Sequence, residues 1–251
     1  MNRLEYLLKN SNLQRNYNYH GEKQNSNHSF ECSHLGFRNG FAGLDASQSE
    51  RVVTVKGLSE QEVKADRVIW PLTYKVIGND LPELYNNIEK NNATIISFLK
   101  ENGIDEKEIT VAPSQLVDLK AERYGNYNST PYRYNITTVL TVATGNVDLV
   151  RKLMQRQGDL LKQGVAIGGE DYQYRTEFLY TGLNNIKPKM IEEATANART
   201  TAEKFAHDSK SKLGKIRTAY QGQFSISDRD ANTPYIKTVR VVTTVEYYLK
   251  D

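Results

Sequence analysis

Glu193-Ala194-Thr195-Ala196-Asn197-Ala198-Arg199-Thr200-Thr201-Ala202-Glu203-Lys204-Phe205-Ala206 repeats alanine every four residues between charged and polar positions. Apolar residues at that spacing form one stripe of an α-helix. Ile191 and Phe205 extend the stripe, Glu192, Glu193, Arg199, Glu203 and Lys204 fall off it, and the pattern runs from roughly Ile186 to Leu213. Pro188 sits in the first turn of that span, where its missing N–H has no intrahelical partner. At about 1.5 Å per residue such a helix is about 40 Å long, enough to cross a whole sheet. Alanine on the buried side means that something packs very close to the helix backbone.

On the C-terminal side two strands follow, Ile216 to Ile226 and Thr238 to Leu249, the second placing Val239, Val241, Thr243, Val245, Tyr247 and Leu249 on one face. On the N-terminal side Tyr172, Tyr174, Thr176, Phe178 and Tyr180 alternate as a strand. Before them Val147, Val150, Leu153, Met154, Leu160 and Leu161 mark a helix ending near Gly164. Tyr134 to Val142 alternates as a half-buried strand. Ile109, Val111, Val117 and Leu119 read as one face of a long irregular strand interrupted by Pro113, and a loop spans Ala121 to Arg133. Leu81-Pro82-Glu83 opens a helix carrying Leu84, Ile88, Ile95 and Leu99, with Gly103 as its stop. Val53, Val55 and Gly57 form a short strand, and Val68 to Ile77 a second in which Pro71 implies an edge or a bulge.

The order ββαββαβαββ pairs adjacent strands as antiparallel hairpins with helices between them, which is an α+β class. Strand-helix-strand-strand occurs around 66–144 and again around 172–249, so the expected architecture is two-lobed, mainly antiparallel, with one long Ala-rich helix and two shorter ones. This domain spans residues 49–251. Residues 1–48 hold the only cysteine, Cys32, and three of the four histidines, His20, His28 and His34, in a polar run without apolar periodicity. Such a segment cannot bury enough to offset its chain entropy and is expected to be mostly disordered.

Lys and Arg number 33 and Asp and Glu 30, for a net charge of +3. That balance argues against a dedicated nucleic-acid binder, and a mean hydropathy of −0.64 without any apolar stretch near the roughly 18 residues of a membrane helix argues against a helical span. Tyrosine is the one excess, 16 residues against 7 Phe and 1 Trp.

Val55-Lys56-Gly57 with Ala65-Asp66, Phe98-Leu99 with Asn102-Gly103-Ile104 running into Glu108-Ile109-Thr110, the Tyr134 to Val142 strand and above all the Ala/Arg/Glu helix resemble the SIMPL domain family over about Arg51 to Leu249. The resemblance implies an α+β domain that can assemble into large rings, in bacterial envelope proteins of the periplasmic immunogenic or oxidative-stress defence type, with no established catalytic residues. Family members usually begin with a signal peptide or lipoprotein leader, where this chain has its polar 48 residues. Two readings stay open: a cytoplasmic chain, or a leader replaced or a start mis-assigned. The small residues of Ala42 to Gln48 point to the second.

The chemistry-bearing residues are sparse. His28, Cys32 and His34, with His20, offer soft-metal ligands, but the spacing matches no common zinc site and nothing holds it rigid, so no metal is expected. His207 beside Asp208 could be an oriented base, yet a surface histidine favoured by the helix dipole is the simpler reading. Gly168-Gly169 lacks phosphate-loop spacing, and Asp105, Glu106 and Glu108 read as a solvated cluster. Basic and aromatic residues interleave from Lys120 to Tyr134, but the near-neutral charge and missing consensus weigh against single-strand binding. Within that loop Tyr124, Tyr127, Tyr132 and Tyr134 have the composition of a recognition surface, and an assembly or partner-binding role stands beside the plainer reading of an exposed hairpin.

The expectation is therefore a non-enzymatic, self-assembling envelope protein without cofactor or metal, a homo-oligomer with an envelope protein as a further partner. A small-ligand binder or enzyme whose site forms only in three dimensions is the alternative. A deep pocket gathering separated carboxylates, tyrosines and Arg199 would mark the alternative; a filled core with long exposed edge strands would mark assembly.

Overall fold

A computed structural model describes residues 50–121, 131–168 and 173–251 of the chain. The first elements are strands β1 (Val52–Lys64) and β2 (Arg67–Gly78), helix α1 (Leu81–Glu101), and strands β3 (Ile109–Val111), β4 (Gln115–Asp118) and β5 (Tyr134–Thr144). Then come α2 (Val147–Gln155), α3 (Gly158–Lys162), β6 (Glu177–Leu179), α4 (Leu183–Asp208), β7 (Lys212–Gln221), β8 (Ser225–Asp228) and β9 (Ile236–Lys250). All strand pairing is antiparallel, in two sheets: β1-β9-β7 with β8 also on β9, and β3-β5-β2-β6 with β4 also on β5. The α+β class holds.

Each sheet carries one long helix on its buried face. Ile95, Phe98 and Leu99 of α1 pack with Val68, Trp70, Leu72 and Tyr74 of β2 and Leu140 and Val142 of β5 in the main core, which α2 and α3 close through Val150, Leu153 and Leu160, while Leu84 and Ile88 pack with Ile136 in a smaller cluster. Under α4 the contacts are small. Met190, Ala194, Ala198, Ala202 and Ala206 are buried against β1 and β9. The close approach anticipated from the alanines is at Gly57 of β1, where a Cβ would lie 1.9 Å from the Ala194 carbonyl oxygen and 2.5 Å from the Ala198 nitrogen.

The two lobes share a topology that the chain order hides. In the β2–β5 sheet the order along the chain is strand, helix, interrupted strand, strand: β2, α1, β3/β4, β5. In the other sheet α4, β7/β8 and β9 repeat the last three, and β1 supplies the first strand from before the other lobe. Tyr172 to Tyr180 therefore does not open the second lobe; within it only Glu177–Leu179 forms a strand, and it pairs with β2. Tyr172 itself lies outside the described residues.

Interruption follows the same rule in both sheets. From Val111 to Gln115 the edge advances four residues while its partner advances three, Leu140 to Thr137, which is a one-residue bulge at Ala112–Ser114. Gln221 to Ser225 against Thr243 to Arg240 does the same, splitting the expected Ile216–Ile226 strand. A one-residue shift turns side chains to the other face, so Val111, opposite Leu140, and Val117, opposite Asn135, lie on different faces rather than the shared one expected, and both are exposed on this edge.

Three other boundaries differ. The long helix starts at Leu183 and ends at Asp208, with Lys212 and Leu213 already in β7 and Pro188 in the helix interior. Its buried row keeps a strict four-residue step, the i±4 ridge that packs into a groove, leaving Phe205 at 56% exposure rather than on the stripe. The expected Val147–Leu161 helix is broken into α2 and α3 at Arg156–Gln157. Pro71 is indeed locally at an edge: β6 pairs only with Arg67–Ile69, and β2 runs past it opposite Thr141 without a bulge.

Asp66 fastens the lobes at the β1–β2 junction. Its carboxylate accepts hydrogen bonds from the Thr181 and Gly182 backbone N–H at 2.8 and 2.9 Å and from the Thr181 hydroxyl at 3.1 Å, immediately before α4. α4 has no side-chain cap of its own at Gly182, so a residue 116 positions earlier provides for its entry. The neighbouring Ala65 N–H donates to the Tyr235 carbonyl at 2.9 Å.

Candidate functional site

The residues singled out for chemistry do not meet. His207 is 90% exposed at its side chain, with only the adjacent Asp208 carboxylate at 3.4 Å. Asp105 and Glu108 form a capping box on a short 3-10 turn, Glu106 bonds Lys100 at 2.7 Å, and the Lys107 side chain holds the Asp105 carboxyl below its ordinary pKa. Among the described residues no three metal-ligating side chains come together, and no helix is long and apolar enough to cross a membrane. Cys32, His20, His28 and His34 lie outside the described residues, as do Gly169, Tyr124 and Tyr127. Tyr132 is 40% exposed. Tyr134 is half-buried on β5 against Leu84, Ile88 and Ile136, with Arg133 stacked on its ring at 5.0 Å and paired to Asp118 at 2.9 Å.

Arg199 and Tyr247 do share a surface groove of about 480 Å³ between α4 and β7, floored by Leu213 and Ile216 and rimmed by Lys215. No carboxylate lines it. Glu203 bonds the Arg199 guanidinium at 2.9 Å and raises its already high pKa. Tyr74, a tyrosine the sequence did not single out, is buried and donates to Asn92 Oδ1 at 2.8 Å; burial raises its pKa.

What the fold offers instead is edges, and they differ. On β1 the free edge is partly covered: the Asn197 amide of α4 donates to the Leu58 carbonyl at 2.8 Å. β7 is exposed from Lys215 to Gln221, with Ile216 at 49% and Tyr220 at 67% exposure. The β3/β4 edge exposes Val111, Leu116 and Val117. Glycine lets β7 and β8 follow β9 through their register shifts: a Cβ at Gly214 would meet the Tyr248 carbonyl oxygen at 2.7 Å, and one at Gly222 the Val242 carbonyl oxygen at 2.6 Å.

The sequence pattern described as SIMPL, protein of unknown function (DUF541), matches residues 53–247, from the first residues of β1 to the buried Tyr247 of β9. The chain belongs to the SIMPL family. Both lobes of this SIMPL domain, its displaced first strand and its Ala-rich helix all fall within the match. No curated protein matches the chain.

Long exposed edge strands are the mark of assembly named from the sequence, but the sequence does not single out β7 as one. Tyrosine content pointed to the 121–133 loop, and nothing in period-two alternation distinguishes an edge strand from an inner one.

Proposed function

We propose that this SIMPL protein works without cofactor or chemistry of its own, by self-assembly in the cell envelope. The observation that carries the reading is the pair of edges, β7 and β3/β4, that combine exposed backbone with exposed Ile216, Tyr220, Val111, Leu116 and Val117; edges of that kind are where chains add to chains. The largest buried side chains fill the core, and no carboxylate lines the Arg199 groove. Tyr132, exposed just ahead of the start of β5 at Tyr134, adds an aromatic side chain beside that edge; Tyr124 and Tyr127, in the loop of the same composition, lie outside the described residues. The family resemblance supports the envelope location.

Size-exclusion chromatography with light scattering tests the assembly. An oligomer that shrinks when Tyr124 and Tyr127 are replaced by serine is expected; a strict monomer at working concentration removes the proposal and favours the ligand-binding alternative. For the compartment, mass spectrometry of the native N-terminus decides: a mature protein starting at Met1 counts against the envelope.

A further inference from the structure

The outer edge of β2 is paired at two places with a break between them. β6 covers Arg67–Ile69, and the segment after α3 covers Tyr74, where Ile167 bridges it and the Gly168 N–H donates to the Thr73 carbonyl at 2.6 Å. Backbone groups alternate sides along a strand, so Pro71, two residues before Thr73, turns to the same edge, where it has a carbonyl but no N–H to offer. Pro71 therefore stops the β6 ladder after Ile69, and a cavity of about 130 Å³ occupies the break. Its walls include Trp70, Pro71 and Thr73 of β2, Met154 and Gln157 from around the break between α2 and α3, and Tyr174.

Thr73 is 8% exposed, and its hydroxyl is buried without a hydrogen-bond partner. Folded proteins keep few such groups, because each loses its hydration without a replacement bond; on a cavity wall, the replacement is a bonding group on whatever the cavity holds. Among the described residues no carboxylate, lysine or arginine lines the cavity, so a charged guest would be desolvated without a counter-charge and a neutral one is favoured. Volume sets the size. An apolar cavity of roughly 150 Å³ accepts benzene, so this one, at about 130 Å³, has room for one six-membered ring. Trp70 and Tyr174 offer aromatic surface and Met154 a polarizable sulfur, which favour an aromatic ring over a saturated one.

We propose that this cavity binds a small neutral aromatic molecule carrying a hydrogen-bonding group, of the size of a phenol, which bonds the Thr73 hydroxyl and lies among Trp70, Met154 and Tyr174. The inference goes beyond assembly and uses none of its surfaces: among the described residues nothing from β3, β4 or β7 lines the cavity, so site and oligomer are tested separately.

Trp70 is the only tryptophan in the chain, so indole emission reports from the cavity wall itself. The full chain is titrated with phenol, and with cyclohexanol and benzoate as its saturated and charged counterparts, followed by Trp70 fluorescence and independently by calorimetry. Phenol is expected to bind saturably with a Kd of about 1 mM or tighter, and the two counterparts at least about tenfold more weakly. Thr73→Val keeps the shape and removes the hydroxyl; it is expected to weaken phenol binding about fivefold without lowering the melting temperature. Gln157→Phe adds a ring at the wall and is expected to abolish phenol binding, with circular dichroism confirming the fold. No saturable response in the wild type overturns the inference, and cyclohexanol or benzoate binding as tightly as phenol overturns the ligand class. Phenol affinity unchanged in Gln157→Phe places the ligand elsewhere, and unchanged in Thr73→Val it leaves the hydroxyl without a part in binding; either result overturns the site. The oligomeric state, whichever is found, bears only on the assembly reading.

Discussion

Helix α1 meets its sheet through Leu84, Ile88, Ile95, Phe98 and Leu99, whereas α4 meets the equivalent sheet through one methionine and four alanines, with Gly57 beneath them. The strand connections are the same, so topology does not set the distance between helix and sheet; side-chain size does. Large residues leave space to be filled, and the stability of that lobe lies in apolar volume. Small residues let backbones touch, and the stability of the other lobe depends on nothing larger being placed between them. The lobes should therefore fail in opposite directions, one by truncation and the other by enlargement.

Gly57→Ala gives the largest expected effect. The added methyl would meet helix backbone at 1.9 Å and 2.5 Å, and backbone cannot rotate away as a side chain can. We expect a loss of about 4 kcal/mol or more, read from denaturant unfolding. A near-neutral result would show that α4 does not sit on β1. In the other lobe the matching change is Leu140→Ala, a fully buried residue of β5, where the cavity costs about 3 kcal/mol.

The entries of the two helices extend the contrast. Asp80 caps α1 from the adjacent position, accepting from the Glu83 N–H at 2.9 Å, while Asp66 serves α4 from across the fold. Asp80→Ala should cost about 1 kcal/mol. Asp66→Ala should cost nearer 2 kcal/mol, because two backbone donors and a hydroxyl lose their acceptor and the β1–β2 junction loses its tie to the other lobe. Equal losses in the two variants would mean that Asp66 acts as an ordinary cap.

The alternating strands and the alanine stripe were legible because each has one buried face, and a buried face imposes its period on the sequence. Phe205 misled because three-residue and four-residue steps both satisfy a helical stripe, and only the sheet below selects the four-residue ridge. The bulges at Ala112–Ser114 and Gly222 left no clear signal beyond Pro113, since an extra residue in an edge strand changes facing without changing composition. The first strand of the second lobe was misassigned because its partner is remote: Val55 pairs with Val245, nearly the whole domain away. As for the candidate surface, Tyr220 on β7 looks no different in sequence from Tyr247 on β9, although one is 67% exposed and the other 4%.

The helix ends supply the finest comparison. Both helices close with the same pair of hydrogen bonds: Ile104 N–H to the Leu99 carbonyl and Gly103 N–H to the Lys100 carbonyl after α1, Ser211 N–H to the Ala206 carbonyl and Lys210 N–H to the His207 carbonyl after α4. This closure puts one residue in the left-handed region. After α1 it is Gly103, with φ of +92°; after α4 it is Lys210, with φ of +55°. A side chain in that conformation crowds the following carbonyl, at a cost of about 1 kcal/mol that glycine does not incur. Lys210→Gly should therefore raise stability by about 1 kcal/mol, and Gly103→Ala should lower it by a similar amount. Thermal melting of the two variants beside the wild type separates cap from context. Shifts of opposite sign and similar size make the closures equivalent, whereas a Lys210→Gly variant that gains nothing means that the lysine side chain stabilises the α4 end in a way the α1 end lacks.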